Sequence, residues 1–221
     1  MHVLVMAKSP VPGKVKTRLC PPLTQKEAAA IAEAALADTL DAVAATGADR
    51  RIIALEGEPG PWLPSGFEVI RQRGDGFDQR LANAWDDAGE GGIQIGMDTP
   101  HVTAAALDAA MAALAADPRG SVIGYALDGG WWAIGLHAPN PAVFLGVPMS
   151  TDGTGAAQEA RLRSLGLAVS RLDPQRDIDT IADLAAVAGE APTTRTAMSA
   201  RRLLAHLAIS DWWIAPAGAV A

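Results

Sequence analysis

The segment that most constrains this fold is Gly91 to Pro100, GGIQIGMDTP, in which a short apolar run ends on Asp98. An apolar run such as Ile93 to Met97 is typical of a strand buried in a parallel sheet. Pro100 ends the strand and favours an extended conformation for Thr99. In open α/β sheets, ligands bind beyond the carboxyl ends of the strands. The segment therefore predicts a carboxylate at the ligand-binding edge of a parallel sheet.

Predicted strands and helices alternate along most of the chain, which indicates a three-layer α/β/α architecture. Further strands are predicted at His2–Ala7, Arg51–Glu56, Phe67–Arg71, Ser121–Tyr125, the end of Leu127–Leu136 and Leu167–Leu172. Helices are predicted at Thr24–Ala45, Phe77–Ala88, Ala104–Ala115 after an N-cap at Thr103, Gly155–Leu165 after a cap at Ser150 or Thr151, Thr180–Val187 and Ala200–Ile209. We expect residues 1–190 to form one domain, and residues 191–221 to form a C-terminal helix and tail packed on it or extending from it.

Composition narrows the class of protein. A chain of 221 residues with nearly half of them apolar can build one domain with a substantial core. The formal net charge of -7 argues against a nucleic-acid binder. Cys20 is the single cysteine, so the chain has no internal disulfide, and the default setting is cytoplasmic. No stretch approaches the roughly 18 apolar residues of a membrane span.

A basic loop follows the first predicted strand. It carries Lys8, Lys14, Lys16 and Arg18, and Gly13 allows close approach of a ligand to the backbone. Lysine and arginine at this edge of a sheet favour binding of a phosphate or diphosphate. The glycine spacing is not that of a P-loop. The alternative is a solvated surface loop.

Asp177 follows another predicted strand, as Asp98 does. Asp98 and Asp177 supply hard oxygen ligands of the kind that Mg²⁺ or Mn²⁺ prefers when it also bridges to phosphates. Asp179 is the expected N-cap of the next helix, which leaves Asp177 as the better metal ligand. The alternative for Asp98 is a turn or helix-capping aspartate.

The turn Asp128-Gly129-Gly130-Trp131 combines an acid with a glycine pair, which indicates close approach of a ligand or another backbone segment. Asp128 could bind an acceptor hydroxyl or act as a general base. The alternative is a tight hairpin with core tryptophans. Arg80, at the start of a predicted helix, could reach a phosphate, or it could be a surface helix residue.

Six motifs carry a family resemblance that spans roughly Met1 to Val187. In chain order they are MAKSPVPGKVKTRL, GFDQRLANAW, IGMDTPHV, LDGGWWAIGL, Ser150-Thr151 and DIDTIADL. With these motifs the chain resembles a bacterial GT-A-fold glycosyltransferase-like family whose members are labelled arsenosugar-biosynthesis-type glycosyltransferases. It is also similar to nucleotidylyltransferases of the same nucleotide-diphospho-sugar transferase fold, including guanylyltransferases that act on phospholactate.

The resemblance implies a mostly parallel, doubly wound sheet with the nucleotide in its first half and an acceptor in its second. By position it implies phosphate binding by Lys8, Lys14, Lys16 and Arg18, a metal at Asp98 and Asp177, and an acceptor side shaped by Asp128, Gly129, Gly130, Trp131, Ser150 and Thr151. The chain departs from the family at Thr99, where cysteine is usual, at Trp131-Trp132, where two tyrosines are usual, and at Met149, where tryptophan is usual. Larger indoles indicate a different or more apolar acceptor.

Three functions remain open at this point. The first is a metal-dependent glycosyltransferase that uses a nucleotide-diphosphate sugar and a small-molecule acceptor, with Asp128 as the candidate base. The second is a nucleotidylyltransferase that couples an NTP to a small phosphorylated substrate and releases pyrophosphate. The third is a nucleotide-binding protein without catalysis. The assembly state, including a homodimer, is left open.

Overall fold

The computed structural model describes residues 1–206 and contains a seven-stranded sheet. The strands are β1 His2–Lys8, β2 Arg50–Glu56, β3 Glu68–Arg71, β4 Gly92–Gly96, β5 Gly120–Ala126, β6 Trp131–Leu136 and β7 Ala168–Gln175. Their order across the sheet is β3-β2-β1-β4-β6-β5-β7. The pairs are parallel except those of β6, which runs antiparallel to β4 and β5. The predicted α/β class and mostly parallel sheet are confirmed.

The sheet changes its winding direction between β1 and β4. From β1 the chain moves outward through β2 and β3, and then returns to place β4 on the other side of β1. Met6 and Gly96 are register partners near the carboxyl ends of these two central strands. Such a switch point opens a crevice at the carboxyl edge of a doubly wound sheet. The basic loop and Asp98 follow these two strands directly.

Helices cover both faces of the sheet. They are α1 Gln25–Ala44, α2 Phe77–Ala88, α3 Ala104–Ala115, α4 Thr154–Ser164, α5 Ile181–Glu190 and α6 Arg195–His206. Alternate β1 side chains divide between the two cores: Val3 and Val5 pack with α1 and α3, whereas Leu4 and Met6 pack with α2 and α4. This alternation is the two-residue period of a strand buried on both faces.

Local capping explains several helix starts. Thr24 and Glu27 form a capping box at the start of α1, and Thr103 accepts the Ala106 amide at the start of α3. Two predicted caps are wrong. Gly153 precedes α4, and the Thr151 backbone amide instead bonds the Thr154 hydroxyl. Thr180 caps α5 in a box with Asp183, so Asp179 is not the cap.

The last two helices pack on α1. A third apolar cluster joins Leu19 and Leu23 to α1, α5 and α6. The last predicted helix starts earlier than Ala200, because Asp38 on α1 accepts the amides of Arg195 and Thr196 and so fixes the first turn of α6. Residues 207–209 of that predicted helix and the tail 211–221 lie outside the described residues. No helix within residues 1–206 is long and apolar enough to cross a lipid bilayer.

Candidate functional site

A cleft lies at the carboxyl edge of β1 and β4, and it has two lobes. The smaller cavity, of about 330 Å³, is lined by the basic loop, and we call it the basic lobe. The larger cavity, of about 550 Å³, extends towards β6 and α4, and we call it the acidic lobe. Met6, Arg18, Phe77, Gly96, Asp98 and Asp179 line both lobes, so the two cavities form one continuous site.

Lys16 connects the basic loop to the acidic residues. Its ammonium lies 2.7 Å from Asp98 Oδ1 and 3.7 Å from Asp179 Oδ1, and it also donates to the carbonyl oxygen of Ile178. The Lys16 side chain is only 6% exposed. Its backbone adopts a left-handed conformation with φ of 47°. This turn directs the lysine inward, whereas the basic side chains before and after it reach the surface.

Asp177 lies beside Asp98, as the sequence predicted from two separate strand ends. The Ile178 amide donates to the Asp98 carbonyl at 3.1 Å, and the Thr99 hydroxyl donates to Asp177 Oδ1 at 3.0 Å. Burial, together with the negative charge of Asp98, raises the pKa of Asp177 to about 7. Two carboxylates that repel each other in a partly buried cleft are stabilised by a cation between them.

Lys8 and Arg80 share one partner at the other end of the basic lobe. Lys8 Nζ lies 3.1 Å from Glu56 Oε2, and Arg80 Nη1 lies 2.7 Å from the same oxygen. The Arg80 guanidinium also lies 5.7 Å from the ring centre of Phe77. Arg80 is outside the lining of both lobes, so the structure places it behind Lys8 and Glu56 rather than at the cleft surface.

The other predicted phosphate-binding residues differ in their placement. Lys14 and Arg18 line the basic lobe with largely exposed side chains, and Arg18 donates to Asp179 at 2.6 Å. Gly13 does not line either lobe. With φ of +77°, it turns the chain beside the Gln25 side chain, which would lie 3.0 Å from an added Cβ. Gly13 therefore shapes the loop without facing the cavity.

The turn Asp128 to Gly130 stands at the far end of the acidic lobe. Asp128 Oδ1 accepts the Gly130 amide at 2.8 Å, and its side chain remains exposed. Gly129 has φ of +92°, and a Cβ there would lie 2.0 Å from the carbonyl oxygen of Asp152. The glycine pair therefore permits the close approach of another backbone segment, one of the two readings that its sequence allowed.

The remaining predicted acceptor residues line the same lobe. Ser150, with φ of 61°, and Thr151 are exposed, and Trp131 is half-buried. Trp132 also contributes to the lining, although neighbouring side chains of a strand point to opposite faces. The lobe meets β6 at its first residues, where side chains from both faces of the strand are within reach.

Several lining residues were not found from the sequence. Asp152 directly follows the Ser150-Thr151 motif, which could have drawn attention to it. Phe77 gives the cleft an apolar side chain, but an isolated apolar residue carries no distinctive sequence signal. Met149, which the sequence marked only as a departure from the family, also lines the acidic lobe. The pairing of Lys16 with Asp98 joins residues far apart in sequence and follows only from the fold.

The residues of the cleft can hold a divalent metal only if a bound substrate supplies further ligands. Within residues 1–206, no three His, Cys, Asp or Glu side chains are grouped to hold a metal ion. Asp98 and Asp177 offer two adjacent carboxylates, and their mutual repulsion would be relieved by a cation. Mg²⁺ commonly takes one or two carboxylates and completes its shell with water and substrate phosphates. The residues therefore fit a two-carboxylate site completed by a nucleotide.

Solved structures identify the fold. A protein from Desulfovibrio desulfuricans G20, provisionally named a nucleotide-diphospho-sugar transferase, is 24% identical with a TM-score of 0.82, over 96% of this chain and 97% of that one. A cytidylyltransferase from Leptospira borgpetersenii is 12% identical with a TM-score of 0.57, over 100% and 98%. Rv0371c from Mycobacterium tuberculosis H37Rv is 20% identical with a TM-score of 0.51, over 82% and 94%. The chain has the nucleotide-diphospho-sugar transferase fold.

The chain belongs to the DUF2064 family, described as an uncharacterized protein conserved in bacteria, whose profile matches residues 28–151. The match includes Asp98 and the turn at Asp128, whereas the basic loop and Asp177 lie outside it. No curated protein matches the chain. The resemblance predicted from the motifs is confirmed at the level of family and fold.

Proposed function

We propose that this protein is a metal-dependent glycosyltransferase that transfers a sugar from a nucleotide-diphosphate sugar to a small-molecule acceptor. The observation that carries the proposal is the position of Asp98. It lies where the basic and acidic lobes meet, beside Asp177 and 2.7 Å from Lys16. This arrangement suits a reaction in which a diphosphate leaves on one side and an acceptor enters on the other.

In this proposal the basic lobe holds the diphosphate. Lys8, Lys14, Lys16 and Arg18 surround a cavity of about 330 Å³. Arg18 can offer a planar pair of donors to phosphate oxygens, and the lysines act as point charges. Lys16 would exchange its contact with Asp98 for a phosphate oxygen. These cations would stabilise the negative charge that develops on the leaving diphosphate, which is electrostatic catalysis.

Asp98 and Asp177 would hold the divalent metal. A metal bound there supplies Lewis-acid stabilisation of the diphosphate oxygens. The Thr99 hydroxyl donates to Asp177 Oδ1, so the second oxygen of that carboxylate would be the one to bind the metal. The Asp98 main chain is fixed by the Ile178 amide, which holds the two acidic segments together before substrate arrives.

Asp128 is the proposed base for the acceptor hydroxyl. One of its oxygens is held by the Gly130 amide, which orients the carboxylate, and the other is available to an acceptor. Trp131, Ser150 and Thr151 would position that acceptor in the acidic lobe.

One observation favours a second candidate, nucleotidyl transfer. The basic loop directly follows β1 and has the exposed Lys14 and Arg18 in its cavity, and a triphosphate would use such a loop as well as a diphosphate would. In that reaction a substrate phosphate attacks the α-phosphate of an NTP and pyrophosphate leaves. The product therefore distinguishes the two reactions.

The first test is a thermal-shift screen of the purified protein. NTPs, nucleoside diphosphates and sugar nucleotides are each added with Mg²⁺, Mn²⁺ or EDTA, because a ligand that binds the native state raises its apparent stability. A metal-dependent shift that is larger for a sugar nucleotide than for its NTP supports the proposal. A shift confined to one NTP supports nucleotidyl transfer. No metal-dependent shift with any nucleotide contradicts both.

Asp98→Asn provides the matched variant, with Asp86→Asn as its control. Asp86 is an exposed acid on α2, 3.7 Å from Arg73 and away from the cleft lining. Asp98→Asn should abolish the metal-dependent part of the shift and most turnover, whereas Asp86→Asn should change neither. Normal turnover by Asp98→Asn would show that the metal assignment is wrong.

A further inference from the structure

The charge of the acidic lobe restricts which acceptors it can bind. The one basic residue among its described lining residues is Arg18. Opposing it are six carboxylates from four separate parts of the chain. They are Asp98, Asp128, Asp152, Asp177, Asp179 and Asp183.

Most of these carboxylates have a partner that offsets their charge. Asp179 pairs with Arg18 at 2.6 Å, and Asp183 caps α5 and lies 3.5 Å from Arg176. Asp98 lies 2.7 Å from Lys16, and the proposed metal would offset both Asp98 and Asp177. Asp128 and Asp152 differ, because within residues 1–206 no basic side chain forms an ion pair with either. A bound diphosphate would only add negative charge nearby.

Asp128 and Asp152 belong to segments that touch. Gly129, next to Asp128, lies so close to the Asp152 carbonyl that a Cβ there would be 2.0 Å from it. The Gly155 amide donates to the Gly129 carbonyl at 2.8 Å and ties the two segments together. The two segments that carry the uncompensated carboxylates are therefore held together at the acceptor end of the cleft.

Apolar side chains line the lobe together with these carboxylates. Trp131, Met149 and Phe77 line the same lobe, and each is only partly buried. An ionised carboxylate accepts hydrogen bonds and donates none, so its ligand must present hydroxyl or ammonium donors. A partly exposed indole covers the apolar face of a ring or attracts a cation. A phosphate offers neither kind of group and is repelled by the carboxylates.

We infer that the acidic lobe takes an acceptor that presents hydroxyl or ammonium groups and carries no phosphate or carboxylate. The inference rests on the proposed function in treating the bound molecule as an acceptor, whereas the selectivity for charge is a property of the lobe itself. It also disfavours the nucleotidyl-transfer alternative, in which a phosphorylated small molecule would have to occupy this lobe.

A thiol placed at the mouth of the lobe measures this selectivity without any turnover. Ser150→Cys is chosen because Ser150 is exposed and lines the lobe. It is made in a Cys20→Ser background, so that the chain carries one thiol. Its rate of reaction is measured with a cationic trimethylammonium-ethyl and an anionic sulfonato-ethyl methanethiosulfonate. Each rate is divided by that of free 2-mercaptoethanol. Ser65→Cys, at an exposed loop position away from the lobe, reports the effect of the overall net charge.

In low salt, the ratio of the cationic to the anionic rate should be at least about tenfold higher at Ser150→Cys than at Ser65→Cys. This ratio should fall as salt screens the field. Adding Asp128→Asn and Asp152→Asn should remove most of the excess. An equal or smaller preference at Ser150→Cys than at Ser65→Cys overturns the inference.

Matched acceptors then test the same point in the reaction. Glucose, glucosamine and glucose 6-phosphate are compared by release of the nucleoside diphosphate from each sugar nucleotide that gives a thermal shift. The phosphorylated sugar should react at least about tenfold more slowly than the better of the other two. A faster reaction with glucose 6-phosphate overturns the inference. If no sugar nucleotide binds while the thiol prefers the cation, the proposed function fails and the charge selectivity stands.

Discussion

Lys16 occupies the position of a counter-ion for Asp98, so removing it should strengthen metal binding in the absence of nucleotide. Lys16 Nζ lies 2.7 Å from Asp98 Oδ1, and this contact competes with a divalent cation for the same carboxylate. The perturbation is Lys16→Met, which keeps the length of the side chain and removes the charge.

The size of the effect follows from the contact that must be broken. A hydrogen bond between charged groups contributes about 1.5–3 kcal/mol to stability. Asp98 is 39% exposed, so screening by solvent reduces this. About 1–2 kcal/mol remains, which corresponds to an affinity for Mn²⁺ that is about 5- to 30-fold tighter.

The assay is titration of EDTA-treated protein with Mn²⁺, with free Mn²⁺ followed by electron paramagnetic resonance and no nucleotide present. Lys14→Met is the matched control, because Lys14 lies in the same loop, is exposed and forms no ion pair within residues 1–206. Combining Lys16→Met with Asp98→Asn should cancel the gain. Circular dichroism checks that losing the bond to the Ile178 carbonyl leaves the protein folded.

The same variant should weaken nucleotide binding by about 1–3 kcal/mol, because a phosphate loses a charged donor. One substitution would then change metal and nucleotide affinity in opposite directions. A dissociation constant for Mn²⁺ in Lys16→Met that equals or exceeds that of the wild type would refute this account of Lys16.

Three further predictions concern stability. Burial lowers the pKa of His2 from 6.5 to about 4. The free energy of unfolding should therefore be unaffected by His2 above pH 6.5 and fall by about 3 kcal/mol as the pH drops to 4. Urea unfolding of His2→Leu should show a flatter dependence on pH. The hydrogen bond from Arg171 lowers the pKa of Glu159 to about 2. Glu159→Gln should therefore lower the free energy of unfolding by about 3 kcal/mol at pH 7, and by progressively less as the pH falls from 4.5 towards 2. An unchanged loss at low pH would contradict this. Gly129→Ala combines φ of +92° with a clash at the Asp152 carbonyl, so it should lower the melting temperature more than Gly66→Ala, which has φ of +87° and no atom within 4 Å of the added Cβ.

Local signals predicted the first half of the fold well. The bounds of α2 and α3 are as predicted, because Gly76 and Thr103 mark clear starts and apolar positions recur at helical spacing. The capping box at Thr24 likewise places the start of α1. Each of these elements is determined by residues within a few positions of its ends.

The missed features depend on contacts between distant residues. Asp38 fixes the start of α6 from another helix, and β7 continues through Pro174 to Gln175 because it pairs with β5. The sequence brought Asp98 and Asp177 together, because both follow strands and strand ends meet at one edge. The position of the basic loop after β1 likewise indicated that the loop would lie near Asp98. The direct contact of Lys16 with Asp98 was not predicted, since it depends on a left-handed backbone conformation in an irregular loop.

The reversed direction of β6 has a consequence for how this cleft can diversify. A parallel strand contributes its last residue to the carboxyl edge and then needs a crossover helix before the next strand. Because β6 runs the other way, a short reversal at residues 127–130 delivers two successive strand termini to the same rim. Apart from Gly129, which the Asp152 backbone approaches closely, residues at this reversal can be exchanged without a change in the path of any helix. The side of the cleft that holds the basic loop is built from other strands, so the two ends of the cleft can change independently.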